Sequence, residues 1–216
     1  MITLSNAVVE IEQLKILQGV SFQIFPNYFY CLVGSNGSGK TTVLNLIMQV
    51  LQVNSGDVET IASKDISYLP QDLPDPPFLS VGEVIAVAIN KEVKGSNSRK
   101  EVLSELAEQF HLEELLDREF SDISAGEKQR AWLAFAIAQK KDMIIMDEPL
   151  SSVDRTSRKE FYSLLKEVSM EGRTLLVVTH DIDMALQYAD KIISLQDGRV
   201  VFDGSSSEYV ALFIIE

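Results

Sequence analysis

The chain has 216 residues, 46% of them hydrophobic, and a formal net charge of −13. This length suits one domain with a substantial core, or a core with one modest subdomain. The acidic balance argues against direct binding of nucleic acid or anionic lipid, because either ligand would need a basic face.

The first part of the chain predicts strands followed by one helix. Alternation of apolar and polar residues predicts short strands at 7–11 and 20–24. An apolar run at 28–33 predicts a buried strand, and the pattern from about 41 to 53 predicts a helix. Turn-forming residues at 54–57 are expected to end that helix.

The rest of the chain alternates strands with helices around one helical insertion. A proline-rich linker at 72–77 opens the insertion, because proline breaks both helices and central strands. The pattern predicts an α/β fold with a mainly parallel sheet core (1–71 and 141–216), an N-terminal antiparallel β subdomain and a helical insertion subdomain (72–140). The remaining predicted elements are strands at 66–70, 143–146 and 175–178, and helices at 99–110, 126–140 and 157–170.

A glycine-rich segment at 34–41 fits the phosphate-binding pattern G-x-x-x-x-G-K-[ST]. It lies between a predicted strand and a predicted helix, which is the context that the pattern requires. Its glycines let successive backbone N–H groups converge on one anion, and the helix N-terminus adds partial positive charge. The sequence therefore predicts a P-loop NTPase, with Lys40 at the β- and γ-phosphates and Thr41 at Mg²⁺. The predicted nucleotide-binding residues of this segment are Ser35, Asn36, Gly37, Ser38, Gly39, Lys40, Thr41 and Thr42.

Two adjacent carboxylates, Asp147 and Glu148, follow the apolar strand at 143–146. Active sites of parallel sheets lie at the carboxyl ends of the strands. Asp147 can hold Mg²⁺ through water there, and Glu148 can polarise an attacking water. His180 ends another predicted strand, where a γ-phosphate could lie, although a single histidine is more often structural. His111 has no partner motif, and we expect a surface or packing residue.

Gln71 and the segment 124–127 each allow a local and a functional interpretation. The neutral amide of Gln71 could contact both Mg²⁺ and water, and a turn-capping glutamine explains the residue equally well. Ser124 and Glu127 have the spacing of a capping box at a helix start. A helix N-terminus with a hydroxyl is also an anion-binding surface, but local sequence favours the capping interpretation.

Taken in order, these motifs resemble the nucleotide-binding domain of ABC (ATP-binding cassette) transporters, over nearly the whole chain. Gln71 stands at the Q-loop position, 143–148 at the Walker B strand, and His180 at the switch histidine. Residues 123–127 stand where the family signature Leu-Ser-Gly-Gly-Gln belongs, and 150–154 resemble the D-loop.

The resemblance implies that two such domains pair head to tail, with ATP between the phosphate loop of one and the signature helix of the other. The second chain would be another copy or a homologous ATPase subunit. Asp154 would help to couple the two sites. The residues that would serve the partner's ATP are Ser124, Ala125, Gly126 and Glu127.

The resemblance also assigns the catalytic and metal-binding roles. Glu148 would be the general base on the hydrolytic water and His180 would contact the γ-phosphate, with Lys40 completing the catalytic set. Mg²⁺ would be held by Thr41, Gln71 and Asp147.

The sequence departs from the family pattern in three places. Ala125 replaces the first signature glycine, and Glu127 replaces the glutamine. Residues 1–21 contain no Phe, Tyr, Trp or His on which adenine could stack. An aliphatic contact in its place would lose about 1–3 kcal/mol of stacking, so we expect weaker base selectivity than is usual in the family.

The resemblance further implies integral membrane subunits that dock near Gln71 and the helical insertion. We expect no signal peptide, because the N-terminus lacks a basic segment followed by an apolar one. No apolar run approaches the roughly 20 residues that cross a bilayer. The single cysteine, Cys31, is expected to be a buried structural thiol and suits a reducing cytoplasm. These features predict a peripheral subunit on the cytoplasmic face of the cell membrane.

Several alternatives compete with this interpretation. For a GTPase, the segment 90–93 lacks the aspartate of the guanine-binding Asn-Lys-x-Asp motif. A small-molecule kinase would not need the segment 124–126, and non-transport ABC proteins generally carry two cassettes or a long coiled-coil insertion. For cargo, the segments 129–134, 185–190 and 197–201 are similar to those of importers of iron chelates, cobalamin and metal ions. An exporter of haem, lipid or lipoprotein type stays open.

Overall fold

The computed structural model describes residues 1–89, 96–150 and 153–213. The segment 90–93 and the D-loop residues Ser151 and Ser152 lie outside these ranges. The strands are β1 (Ile2–Ile11), β2 (Leu14–Ile24), β3 (Phe29–Val33), β4 (Ser55–Glu59), β5 (Ile66–Leu69), β6 (Met143–Asp147), β7 (Thr174–Thr179), β8 (Lys191–Gln196) and β9 (Arg199–Ser205). The helices are α1 (Lys40–Ile47), α2 (Val81–Ala88), α3 (Ser96–Gln109), α4 (Ala125–Ala138), α5 (Arg155–Met170), α6 (Ile182–Tyr188) and α7 (Ser206–Phe213).

The N-terminal strands form an antiparallel sheet in the order β2-β1-β4. This confirms the antiparallel unit, but the strands predicted at 7–11 and 20–24 are only the ends of longer ones. The turn predicted at 54–57 is wrong, because these residues enter β4. Asn54 instead bonds to β1 through both its backbone N–H (2.8 Å to Val8 O) and its side chain (2.8 Å from Glu10 N). A Cβ at Gly56 would lie 2.2 Å from Asn6 O, so only glycine lets β4 pack this closely against β1. Asn54 and Gly56, residue types that usually indicate turns, here fit β4 to an irregular stretch of β1.

The helix after the glycine-rich segment is shorter than predicted, ending at Ile47 instead of 53. Gln49 adopts a left-handed conformation with φ +60°, which stops an α-helix. The backbone N–H groups of Val50 and Leu51 both bond to Asn45 O, at 2.9 and 3.1 Å. Met48, Leu51 and Val53 therefore pack against the core from a loop, whereas Val50 is exposed.

The second sheet has the order β5-β6-β7-β3-β8-β9, parallel throughout except for the edge strand β9. This confirms the mainly parallel core of an α/β fold. Every residue of β3, β6 and β7 is buried, which explains why these strands are apolar without alternation. Cys31 lies inside β3 with no exposed surface, as expected of a structural thiol.

Two hydrophobic clusters cover the two faces of this sheet. Phe29, Cys31 and Val33 of β3 face a cluster built with α2, α4 and α5. Tyr30 and Leu32 face the other cluster, built with α1 and the antiparallel sheet. Among the described residues, no helix is both long and apolar enough to cross a membrane. The two layers leave the carboxyl ends of β3, β6 and β7 side by side at one edge of the sheet.

Candidate functional site

The glycine-rich segment curls between the end of β3 and the start of α1. Gly39 is the N-cap of α1 with φ +105°, and a Cβ there would lie 2.6 Å from Leu17 Cδ2, so only glycine fits without displacement. Lys40 is 7% exposed, and its Nζ donates to Gly34 O at 2.9 Å and Ser35 O at 3.0 Å. Ser35, Asn36 and Gly37 are exposed at the tip of the loop. The Lys40 ammonium group is therefore held against the backbone of its own loop, and the exposed tip of the loop is accessible to an anion.

The turn between β8 and β9 supports the glycine-rich segment, a contact that was not predicted from the sequence. Gly198 N donates to Ser38 O at 3.1 Å, and Gln18 N donates to Gly198 O at 2.8 Å. Gly198 has φ +72°, and a Cβ there would lie 2.2 Å from Ile16 O. The Asp197–Gly198 dipeptide is a strong hairpin-turn signal and could have indicated the turn, but not its neighbour.

Asp147 and Glu148 lie at the carboxyl end of β6, where the sequence predicts them. Asp147 is 7% exposed. Burial raises the pKa of its carboxyl group and the charge of Glu148 raises that pKa further, whereas Lys40 lowers it. Lys40 therefore lies close enough to Asp147 for its charge to act on that carboxyl group. Glu148 has a left-handed backbone (φ +46°), and its N–H donates to Val178 O at 3.0 Å, so β7 holds the strained residue in place.

His180 follows β7 and reaches Glu148. The parallel register pairs Asp147 with Val178, which puts the residues just after β6 beside those just after β7. His180 Nδ1 lies 3.6 Å from Glu148 Oε2, with the two side chains 59% and 15% exposed. The structure thus brings together the histidine and the carboxylate that the sequence singled out separately.

Arg158 of α5, which was not among the predicted site residues, joins the loop after His180 to the loop before α5. Its Nη1 donates to Asp181 Oδ2 at 2.8 Å, and its Nη2 donates to Val153 O at 2.9 Å. Asp181 is the N-cap of α6, accepting from Met184 N at 3.2 Å. No local signal identifies this arginine, because the pattern of α5 indicates only an amphipathic helix.

Ser124 and Glu127 form the predicted capping box at the start of α4. Ser124 N donates to Glu127 Oε2 at 2.7 Å, and Glu127 N donates to Ser124 Oγ at 3.4 Å. Hydrogen bonds from the Ser124 hydroxyl and backbone lower the pKa of Glu127. Ser124 and Ala125 are exposed, and a Cβ on Gly126 would lie 3.1 Å from Ser157 Cβ. No hydrogen bond between described residues joins this segment to the phosphate loop.

The remaining predicted site residues lie on loops. Gln71 is exposed just after β5, the parallel neighbour of β6. Asp154 is the N-cap of α5, and its Oδ1 accepts from Thr156 N at 2.9 Å and Ser157 N at 3.1 Å. Hydrogen bonds from Ser157 lower the pKa of Asp154. Thr41 is exposed and Thr42 half-buried in the first turn of α1.

The sequence of this chain is similar to those of known proteins. The sequence profile described as ABC transporter matches residues 17–151. The zinc uptake system ATP-binding protein ZurA of Listeria innocua is 32% identical, over 96% of this chain and 87% of its own length. The probable siderophore transport system ATP-binding protein YusV of Bacillus subtilis is 30% identical, over 85% of this chain and 73% of its own length.

Solved structures agree with the sequence relatives. The structure of cbiO1 from Clostridium perfringens, described as part of the ABC transporter complex cbiONQ, is 25% identical with a TM-score of 0.86, covering 98% of this chain and 90% of that one. A dimeric structure of the bacterial ABC transporter cassette MJ0796 is 27% identical with a TM-score of 0.79, covering 95% and 99%. The chain therefore belongs to the ABC transporter family, as an ATP-binding subunit.

Proposed function

We propose that this subunit hydrolyses ATP with Glu148 as general base and His180 as a contact to the γ-phosphate. The observation that carries the proposal is the 3.6 Å approach of His180 Nδ1 to Glu148 Oε2, beside the phosphate loop. A general base must lie within reach of the water that it activates. Lys40, coupled electrostatically to Asp147, would stabilise the charge of the transferred phosphoryl group.

Mg²⁺ fits the residues that the sequence assigns to it, namely Thr41, Gln71 and Asp147. A cation would stabilise the charged form of Asp147, whose pKa burial raises. Mg²⁺ is commonly held by one or two carboxylates together with substrate phosphates. When bound, Mg²⁺ would neutralise phosphate charge and orient the triphosphate.

The exposed start of α4 would bind the ATP of a second subunit. Ser124 and Ala125 are exposed, with no hydrogen bond to the chain's own phosphate loop among the described residues. Gly126 lies against Ser157, whose backbone N–H donates to Asp154 Oδ1. The start of α4 and Asp154 would therefore lie in one interface. A cassette of the same fold has been solved as a dimer, which supports this arrangement.

Membrane subunits would dock on the surface formed by the linker after Gln71 and by α2. Phe78 is 91% exposed and Val87 75% exposed, and large apolar side chains this exposed indicate a contact surface. The segment 72–140 would thus act as the subdomain that carries the motion to the membrane. This docking would hold the subunit at the cytoplasmic face of the cell membrane.

The proposed cargo is a metal ion or an iron chelate, because relatives are named for zinc uptake and for siderophore transport. An exporter of haem, lipid or lipoprotein type is the second candidate. The first step is to identify the membrane protein encoded beside this chain. Deleting both genes and measuring metal uptake then distinguishes the importer from the exporter. Unchanged uptake of zinc and iron chelates would contradict the importer assignment.

Adenine would rest on aliphatic side chains at the end of the first hairpin. Ile11 and Leu14 are exposed there (47% and 65%), and Leu17 lies against Gly39 of the phosphate loop. An aliphatic contact distinguishes bases poorly, so competition of GTP against labelled ATP should show a small preference for ATP.

The variant Glu148→Gln tests the assigned chemistry. It should retain ATP, lose nearly all hydrolysis and accumulate as an ATP-bound dimer in size-exclusion chromatography, because the general base is removed and the phosphate loop is intact. Glu101→Gln, at an exposed position of α3, is the matched control and should behave as wild type. Rapid turnover by Glu148→Gln would refute the role of Glu148.

A further inference from the structure

Arg158 contacts two loops that flank the hydrolysis site. Its Nη1 donates to Asp181 Oδ2 at 2.8 Å and its Nη2 donates to Val153 O at 2.9 Å. Asp181 follows His180 directly, and Val153 precedes Asp154 directly. One planar guanidinium group therefore fixes the distance between the loop that carries the histidine and the loop that leads to Asp154.

The Asp181 end of this bridge is held by several bonds. The backbone N–H of Asp181 donates to Thr179 Oγ1 at 2.9 Å, and its Oδ1 caps α6 through Met184 N. The other carboxylate oxygen is the one that Arg158 takes. The side chains of Arg158 and Asp181 are only 29% and 19% exposed, so water screens the ion pair less than it would on an open surface. The ion pair with Arg158 therefore helps to fix the position of Asp181, the residue that follows His180.

The Val153 end of the bridge has fewer constraints. Val153 O accepts from Arg158, and Val153 N bonds to Leu150 O at 3.3 Å. Asp154 then caps α5. The bridge thus links a loop assigned here to the partner interface with a loop assigned to hydrolysis.

We propose that Arg158 is a positioning residue, which keeps His180 aligned for hydrolysis and makes that alignment depend on the loop before α5. This role rests on the proposed function, since it needs His180 at the γ-phosphate and Asp154 at the interface. Arg158 touches neither nucleotide nor water in this scheme; it acts through Asp181 and Val153.

A second ion pair on the same helix provides the matched control. Lys166 of α5 pairs with Asp190, which follows α6 and also accepts from Phe29 N at 2.9 Å. Phe29 and Asp190 lie at the amino-terminal ends of β3 and β8, away from the phosphate loop. Lys166→Met therefore removes a partly buried ion pair from α5 without touching either loop of the site.

Steady-state ATP hydrolysis tests the positioning role. Arg158→Met should lower kcat roughly tenfold to hundredfold, because small misplacements of active groups cost about that much. Its KM for ATP should stay within about twofold of wild type, because the phosphate loop is untouched. Lys166→Met should lose thermal stability similarly and keep kcat. A kcat of Arg158→Met equal to that of Lys166→Met, below the melting temperatures of both, would overturn the proposal.

A spectroscopic measurement tests the alignment without catalysis. The chain has two histidines, so long-range ¹H–¹⁵N spectra show two imidazole rings. Arg158→Met should shift the His180 signals and leave those of His111 unchanged, because His111 is exposed in the helical insertion. Unshifted His180 signals would overturn the proposal. Suppose that Arg158→Met shifted the His180 signals but His180→Ala kept full activity. The assignment of His180 to the γ-phosphate would then fail, and the positioning of His180 by Arg158 would stand.

The conservative variant Asp181→Asn covers the case in which Arg158→Met fails to fold. Asparagine can still cap α6, so this change removes mainly the charge of the pair. It should also lower kcat and shift the His180 signals. Where both single variants fold, the double variant should lose little more kcat than Arg158→Met alone, since both changes break one bridge. Fully additive losses would overturn the bridge.

Discussion

His180 Nδ1 lies 3.6 Å from Glu148 Oε2, at the carboxyl ends of the adjacent strands β7 and β6. Glu148 reaches this position with a left-handed backbone, held by the hydrogen bond from its N–H to Val178 O. A non-glycine residue in this region costs about 1–2 kcal/mol, which the surrounding sheet offsets. Because β7 also pairs with β3, both groups lie at the edge of the sheet from which the phosphate loop starts, as the proposed hydrolysis requires.

The variant Ser124→Ala separates capping from a role in the partner's site. It should lose about 1 kcal/mol of unfolding free energy, measured by urea denaturation, because the capping box is broken. Ser80 forms the same capping box with Glu83 at the start of α2, so Ser80→Ala is the matched control. Only Ser124→Ala should also lose ATPase activity in the isolated subunit. Equal ATPase losses in both variants would show that the cap alone matters.

Mixing two inactive variants tests the shared site. Lys40→Ala disables a phosphate loop and Ser124→Ala disables a signature segment, so a mixed dimer contains one site with both defects and one intact site. The mixture should recover a measurable part of wild-type ATPase activity. A mixture of Lys40→Ala with Glu148→Gln leaves no intact site and should stay inactive. No recovery in the first mixture, with mixed dimers present, would contradict the head-to-tail arrangement.

Asp147→Asn should stabilise the nucleotide-free protein at neutral pH by about 1 kcal/mol, as removal of a poorly solvated charge does. Burial raises the folded-state pKa of Asp147 above its unfolded value. As pH rises past the unfolded value, the unfolded chain releases this proton first, so wild-type stability falls until the folded pKa is passed. The advantage of Asp147→Asn should therefore be full at neutral pH and vanish in acid.

Urea denaturation at pH 7 and at about pH 4 measures this difference in unfolding free energy. Asp142→Asn, at an exposed position just before β6, is the control and should show little change. Asp147→Asn should also weaken ATP hydrolysis, since Asp147 is a proposed Mg²⁺ ligand. An advantage of Asp147→Asn that grows in acid would contradict the raised pKa.

Gly198→Ala tests the brace under the phosphate loop. Gly198 and Gly172 both have positive φ, +72° and +87°, but a Cβ at Gly198 would lie 2.2 Å from Ile16 O while nothing lies within 4 Å at Gly172. Gly172→Ala should therefore cost about 1–2 kcal/mol, and Gly198→Ala about 2–5 kcal/mol because the backbone must also shift.

Only Gly198→Ala should weaken the binding of a fluorescent ATP analogue, because Gly198 N supports Ser38 O. Binding of the analogue should be measured at a temperature at which both variants are folded. Equal analogue affinity in the two variants would show that the turn between β8 and β9 does not shape the phosphate loop.

Prediction from sequence succeeded where the determinants are contiguous. The glycine-rich segment, the buried strand before it and the capping box at Ser124 each depend on residues a few positions apart. It failed at 54–57, because the irregular β1 needs Asn54 and Gly56 at its edge, and sequence periodicity does not show the partner strand. It also made α1 too long, because the left-handed Gln49 is not a residue type that stops helices on its own.

The sequence by itself determined that this protein binds a nucleoside triphosphate, since a phosphate loop is a local structure whose backbone conformation follows from its own glycines. Only the tertiary structure decided which distant residues surround that loop. The strand order β6-β7-β3 brings Glu148 to His180, and the β8–β9 turn brings Gly198 to Ser38. The Arg158 bridge likewise spans two loops that are far apart in the chain. These contacts depend on strand order and register, which the packing of the whole sheet decides and no local periodicity records.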